Sequence, residues 1–160
     1  MVADFEMRTG SDLRRIAREL RRTDDKRLKA EFGKELRAAA KPMVPAVRAA
    51  IRQIPSTRPY RADELRGRLS KAVKLEVKTT GRQAGVRIRV DGRKMPDKQK
   101  ALQSYMEGTK PRWRHPVYGN REVWVQQQPH PYFFKTVRPL GLRSRRNVAR
   151  AVDRVAHRIV

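Results

Sequence analysis

The chain has 160 residues and carries 40 Lys plus Arg against 16 Asp plus Glu, a formal net charge of +24, with no cysteine. That length suits one domain burying about two-thirds of the surface its unfolded form would expose, and the missing thiols exclude disulfides and thiolate metal centres. A charge this large opposes compaction through self-repulsion and calls for a polyanionic neighbour: nucleic acid, an acidic protein surface or a headgroup layer.

The excess is spread along the chain, with 14 basic and 8 acidic residues in 1–53, 12 and 4 in 54–95, and 14 and 4 in 96–160. The main anionic contact is therefore expected on the later half. The first ten residues, MVADFEMRTG, lack the apolar core of a signal peptide. No apolar run approaches the roughly 20 residues a membrane-spanning helix requires, so the chain is expected to stay in the cytosol, away from membranes.

In chain order, Ser11 and Asp12 offer a helix cap. Leu13, Ile16, Ala17 and Leu20 then recur at helical spacing, with arginines on the opposite face. After a break at Thr23–Asp25, a longer helix starts near Asp24 and aligns Leu28, Phe32, Leu36, Ala40, Met43, Val44, Val47, Ile51 and Ile54 on one stripe. Pro42 and Pro45 should kink or split it near Ala39–Lys41, because each removes a backbone donor and crowds the preceding turn. Pro55 and Pro59 open a loop in which Leu65 and Leu69 add a weak helical turn.

Val73, Leu75 and Val77 alternate with charged residues, and so do Val86, Ile88 and Val90, the period of two of half-buried strands. With Gly81 and Gly85 between them they read as a hairpin, apolar on one face and basic on the other, followed by a turn at Asp91–Pro96. Lys98–Glu107 is expected to be helical, stopped by Gly108. A long loop rich in Pro and aromatic residues follows over about 108–131, with a third strand at Val123–Gln126. Pro131 starts a short helix carrying Tyr132, Phe133 and Val137. A C-terminal amphipathic helix, capped by Ser144, sets Val148, Val152, Val155 and Ile159 opposite Arg143, Arg145, Arg146, Arg150, Arg154 and Arg158. The fold class is α+β in a single domain over 1–160.

Chemistry-bearing constellations are scarce. His115, His130 and His157 have no partner at metal-ligand spacing, and no nucleophile elbow, phosphate-cradling loop or carboxylate pair appears. No catalytic, cofactor or metal residues are assigned, and the chain is not expected to be an enzyme. Arg145, Arg146, Arg150, Arg154 and Arg158 are the candidate anion or DNA contacts, Arg being suited to bidentate phosphate or carboxylate binding. The stretch Met106–Phe134 concentrates Trp113, Tyr118, Trp124, Tyr132, Phe133 and Phe134 among four prolines. It reads either as a loop with its own aromatic mini-core or as a semi-rigid arm that docks on a neighbouring subunit.

The segment EGTKPRWRHPVYGNREVWVQQQPHPYFFKTV, with the upstream helix FGKELRAAAKPMVPAVRAAI, resembles the tail-completion, or head–tail joining, family of long-tailed bacteriophages. The matching positions are Arg114, His115, Pro116, Gly119, Trp124, Gln126 and Phe133. The resemblance implies a structural virion protein at the head–tail interface or tail end, in a neck, tail-completion or terminator role. It would be assembled in the host cytoplasm as a homo-oligomeric ring, hexameric by expectation, with other neck and tail proteins as partners and non-specific contact with passing DNA. The implied subunit interface comprises Trp113, Arg114, His115, Pro116, Tyr118, Trp124, Gln126, Tyr132 and Phe133. The alternative is a cytosolic basic nucleic-acid-binding protein, which would bind DNA as a monomer with steep salt dependence.

Overall fold

The apolar stripe from Leu28 to Ile54 becomes the spine of the molecule. In the computed structural model, which describes residues 4–7, 10–55, 59–96, 100–117 and 120–159, it forms two consecutive helices, α2 (Lys26–Ala40) and α3 (Met43–Arg52). Leu28, Phe32, Leu36, Ala40, Met43, Val47 and Ile51 are all buried. Asp25 starts α2 by accepting the Leu28 N–H at 2.9 Å. The break falls at Lys41–Pro42, as the prolines require, while Pro45 is tolerated in the first turn of α3, where an N–H would have no helical partner.

Ahead of the spine lies α1 (Gly10–Arg22), whose Leu13, Ile16, Ala17 and Leu20 are buried. It begins at Gly10, so Ser11 and Asp12 occupy its first turn instead of capping it. After the spine, α4 (Pro59–Lys71) is a full 13-residue helix where the spacing of Leu65 and Leu69 suggested only a turn. Its contacts with α3 stabilise what propensity alone left weak.

The expected hairpin forms as β2 (Val73–Lys78) and β3 (Gly85–Val90), antiparallel, with Leu75 opposite Ile88 and Val77 opposite Val86. Val86, Ile88 and Val90 are buried, and the sheet packs on α2 and α3. Gly81 makes the turn with φ +82°, which favours glycine. A strand not expected from the sequence, β1 (Asp4–Met7), adds to the other edge of β3, giving the order β1-β3-β2.

Beyond β3 a 3-10 turn (Gly92–Lys94) occupies the expected bend. Asp91 is buried there and binds Lys74 Nζ at 2.9 Å and Arg93 Nε at 3.0 Å, two cations that hold its carboxyl well below the usual carboxylate range. The following helix shortens to α5 (Leu102–Met106), with residues 97–99 outside the described set.

The last element differs most from expectation. One helix, α6 (Phe133–Ile159), runs for 27 residues, about 40 Å, in place of a short helix and a separately capped one. Pro139 lies inside it on the exposed side, while Phe133, Val137, Gly141, Ser144, Val148, Ala151, Val152 and Val155 make one buried stripe past the proline. Packing on α1, α2 and α3 outweighs the hydrogen bond Pro139 removes. Ser144 is therefore a buried mid-helix residue and not a cap.

Candidate assembly surface: a hairpin arm and a basic helix face

The region expected to be a long loop is mostly a second hairpin. β4 (Trp113–Val117) pairs antiparallel with β5 (Asn120–Gln127), setting Trp113 opposite Gln127, Arg114 opposite Gln126, His115 opposite Val125 and Pro116 opposite Trp124. The register shifts at Pro116/Val117, where the proline cannot donate to the ladder. Tyr118 and Gly119 lie outside the described residues.

Both ends of the hairpin are clamped. On the incoming side Gly108 takes φ +96°, its N–H donates to Tyr105 O, and the Thr109 N–H donates to Ser104 O, each at 3.0 Å. This pattern ends α5 and turns the chain outward. On the outgoing side the Glu107 carboxylate accepts the backbone N–H groups of Tyr132, Phe133 and Phe134 at 3.1, 2.9 and 2.8 Å. An ionised carboxylate is the favoured partner for the free N–H groups and positive dipole end of α6. The residue ending one helix therefore caps the next, and the hairpin is the excursion between them.

At the base, Trp113 packs on the core and meets the Tyr105 ring at 5.7 Å. Further out the hairpin stands away from the body: among the described residues β4 and β5 contact each other, and neither makes an extensive contact with another element. Val123, Trp124 and Val125 are 50%, 47% and 43% exposed. Alternation along the strand puts the valines on one face and Trp124 on the other. Trp124 is oriented by its Nε1–H, which donates to Arg121 O at 2.7 Å, and by the Arg114 guanidinium 5.8 Å from its ring centre. An isolated two-stranded ribbon is marginal in water, and one with apolar side chains outward on both faces leaves area for a partner to cover.

The expected interface residues therefore divide. Trp113, Arg114, His115, Pro116, Trp124 and Gln126 all lie on the hairpin. Tyr132 and Phe133 do not belong with them: they are 3% and 0% exposed, and they pack in the chain's own core as the first turn of α6. Burial pushes the Tyr132 hydroxyl above its ordinary pKa, and the nearby Glu107 charge adds to this. The Tyr132 hydroxyl has no hydrogen-bond partner among the described residues.

The arginines of α6 divide as well. Arg154 pairs with Glu35 and Arg158 with Glu31, both across to α2. Arg150 donates to Asn147 Oδ1 at 2.7 Å. Arg145 and Arg146 are exposed and have no carboxylate partner among the described residues. A shallow groove between α2 and α6 is lined by Glu35, Ala38, Ala39, Asn147, Arg150 and Arg154.

Glu107, which caps α6 and closes the base of the arm, is barely marked in the sequence. Its only signal was an isolated carboxylate in a basic stretch, directly before the Gly108 stop. Among the described residues no His, Asp and Glu cluster could hold a metal ion, and no helix is long and apolar enough to cross a membrane. Comparison with protein-family models, with curated proteins and with solved structures finds no match to this chain.

Proposed function

We propose that this chain is a structural virion protein of a long-tailed phage or phage-derived particle, acting at the head–tail interface or tail end. It assembles as a ring between connector and tail tube. The observation that carries the reading is the clamped hairpin: a ribbon fixed at both ends, standing off the body, with Val123, Trp124 and Val125 exposed. Such an arm suits insertion against the next subunit of a ring, since aromatic and Arg side chains are the usual anchors of subunit contacts. The resemblance of the segment from Glu107 to Val137 to the head–tail joining pattern supplies the setting.

The test is the mass in solution, by light scattering at low and high salt, with and without the tail-tube protein of the same particle. A closed oligomer, alone or once the partner is added, supports the reading. A strict monomer that ignores the partner and binds DNA in a salt-sensitive way replaces it with the nucleic-acid-binding alternative.

A further inference from the structure

We propose that the outward face of α1 is a binding surface for the phosphate backbone of duplex DNA. The helix buries Leu13, Ile16, Ala17 and Leu20, which locks its orientation, and turns Arg14, Arg15, Arg18, Arg21 and Arg22 to solvent. Arg14, Arg18 and Arg21 follow one another at i, i+4 and i+7 along one side, spaced by about 6 and then about 4.5 Å of rise.

Among the described residues its arginines other than Arg22 lack internal neutralisation, as Arg145 and Arg146 of α6 also do; what sets this face apart is that no apolar side chain is exposed among them, whereas Leu142 is exposed beside the α6 arginines. On α2, Glu31 and Glu35 take up Arg158 and Arg154. On α1 the described carboxylate is Glu19, and it pairs with Arg22. Arg14, Arg15, Arg18 and Arg21 have no ion-pair partner among the described residues. Holding four cations side by side on a rigid element is unfavourable unless a dense, regular anion accompanies them.

The same face decides which anion. Between residues 13 and 22 its exposed positions are all arginine, and the apolar residues of that stretch are buried. A helix that lies on a membrane needs apolar side chains to insert, and a protein interface needs a desolvated apolar centre. This face has neither, so its binding is electrostatic throughout. Duplex DNA, with one charge per about 1.7 Å of axis, is the ligand whose affinity comes from that effect alone. The all-arginine composition adds bidentate contact to phosphate oxygens, which lysine would not give. The inference does not depend on ring formation.

The experiment compares the full chain with two variants that each remove three charges: Arg14→Gln/Arg15→Gln/Arg18→Gln on α1 and Arg143→Gln/Arg145→Gln/Arg146→Gln on α6. Binding to a labelled 20-base-pair duplex of arbitrary sequence is followed by fluorescence anisotropy across a salt series. The α1 variant is expected to bind about tenfold or more weakly near 0.1 M salt and to lose about two to three from the log–log salt slope, with a clearly smaller loss for the α6 variant. Equal losses, a greater loss on α6, no binding by the parent chain, or displacement of the DNA by polyglutamate at matched charge would overturn the assignment. Protection of arginines from phenylglyoxal by the duplex, read on the parent chain by peptide mass mapping, decides independently of whether a variant folds. Protection concentrated on Arg14, Arg15, Arg18 and Arg21 supports the site, and protection elsewhere overturns it.

Discussion

The Glu107 carboxylate accepts the backbone N–H of Phe134 at 2.8 Å, joining two residues that the whole hairpin separates in sequence. With the N–H groups of Tyr132 and Phe133 on the same carboxylate, one side chain neutralises the free end of α6 and closes the base of the arm. Glu107→Ala should cost about 2 kcal/mol of stability, near the upper end for a lost helix cap, and Glu107→Gln less. Urea denaturation of the three proteins checks this, and a change within about 0.5 kcal/mol for Ala would contradict the capping role.

Trp124 is the opposite case, half-exposed and held by contacts within its own hairpin. Trp124→Ala is expected to leave the unfolding free energy of the isolated chain within about 0.5 kcal/mol, the usual range for a surface change. If the arm docks in a ring as proposed, assembly with the tail-tube protein should weaken by tenfold or more, as for a central interface anchor. Parallel denaturation and light-scattering measurements separate the two effects.

Tyr132 buries a hydroxyl that finds no partner among the described residues, which leaves its desolvation uncompensated there. Tyr132→Phe keeps the ring in the core and removes the unsatisfied group, so the midpoint of unfolding should stay the same or rise. A fall of more than about 1 kcal/mol would show that the hydroxyl has a partner after all.

Asp91 links β2 to the 3-10 turn through Lys74 and Arg93, and these cations depress its pKa in the folded state. A depressed carboxylate contributes stability that is fully present above its unfolded value of about 4 and is lost as the pH falls towards the folded value. Thermal unfolding measured from pH 6 down to pH 2 should show a shallower acid decline for Asp91→Asn than for the parent chain. The variant should also be less stable near neutral pH, where the ionised pairing is complete. Parallel curves would remove Asp91 from the acid response.

Local periodicity determined a good part of this fold. The stripe from Leu28 to Ile54, its break beside Pro42, and the alternation of Val73–Val77 with Val86–Val90 were legible because each element buries one face, and a one-sided pattern is written in neighbouring residues. The same rule explains what was hidden. β1 is four residues whose strand character comes from the free edge of β3. The hairpin at Trp113–Gln127 carries apolar side chains on both faces, so it lacks the one-sided signature and resembles a loop. The continuity of α6 through Pro139 rests on packing against three other helices, which no local window contains.

The candidate site divides along the same line. That Met106–Phe134 holds the aromatic side chains of an arm or a mini-core was determined by composition alone. Which aromatic does which was not: the tertiary structure sends Tyr132 and Phe133 inward and leaves Trp124 outside. It likewise neutralises Arg154 and Arg158 with carboxylates 119 and 127 residues away, and leaves Arg14, Arg15, Arg18 and Arg21 without such partners among the described residues. A charge is written in the sequence, but its neutralisation depends on which distant element folding brings beside it.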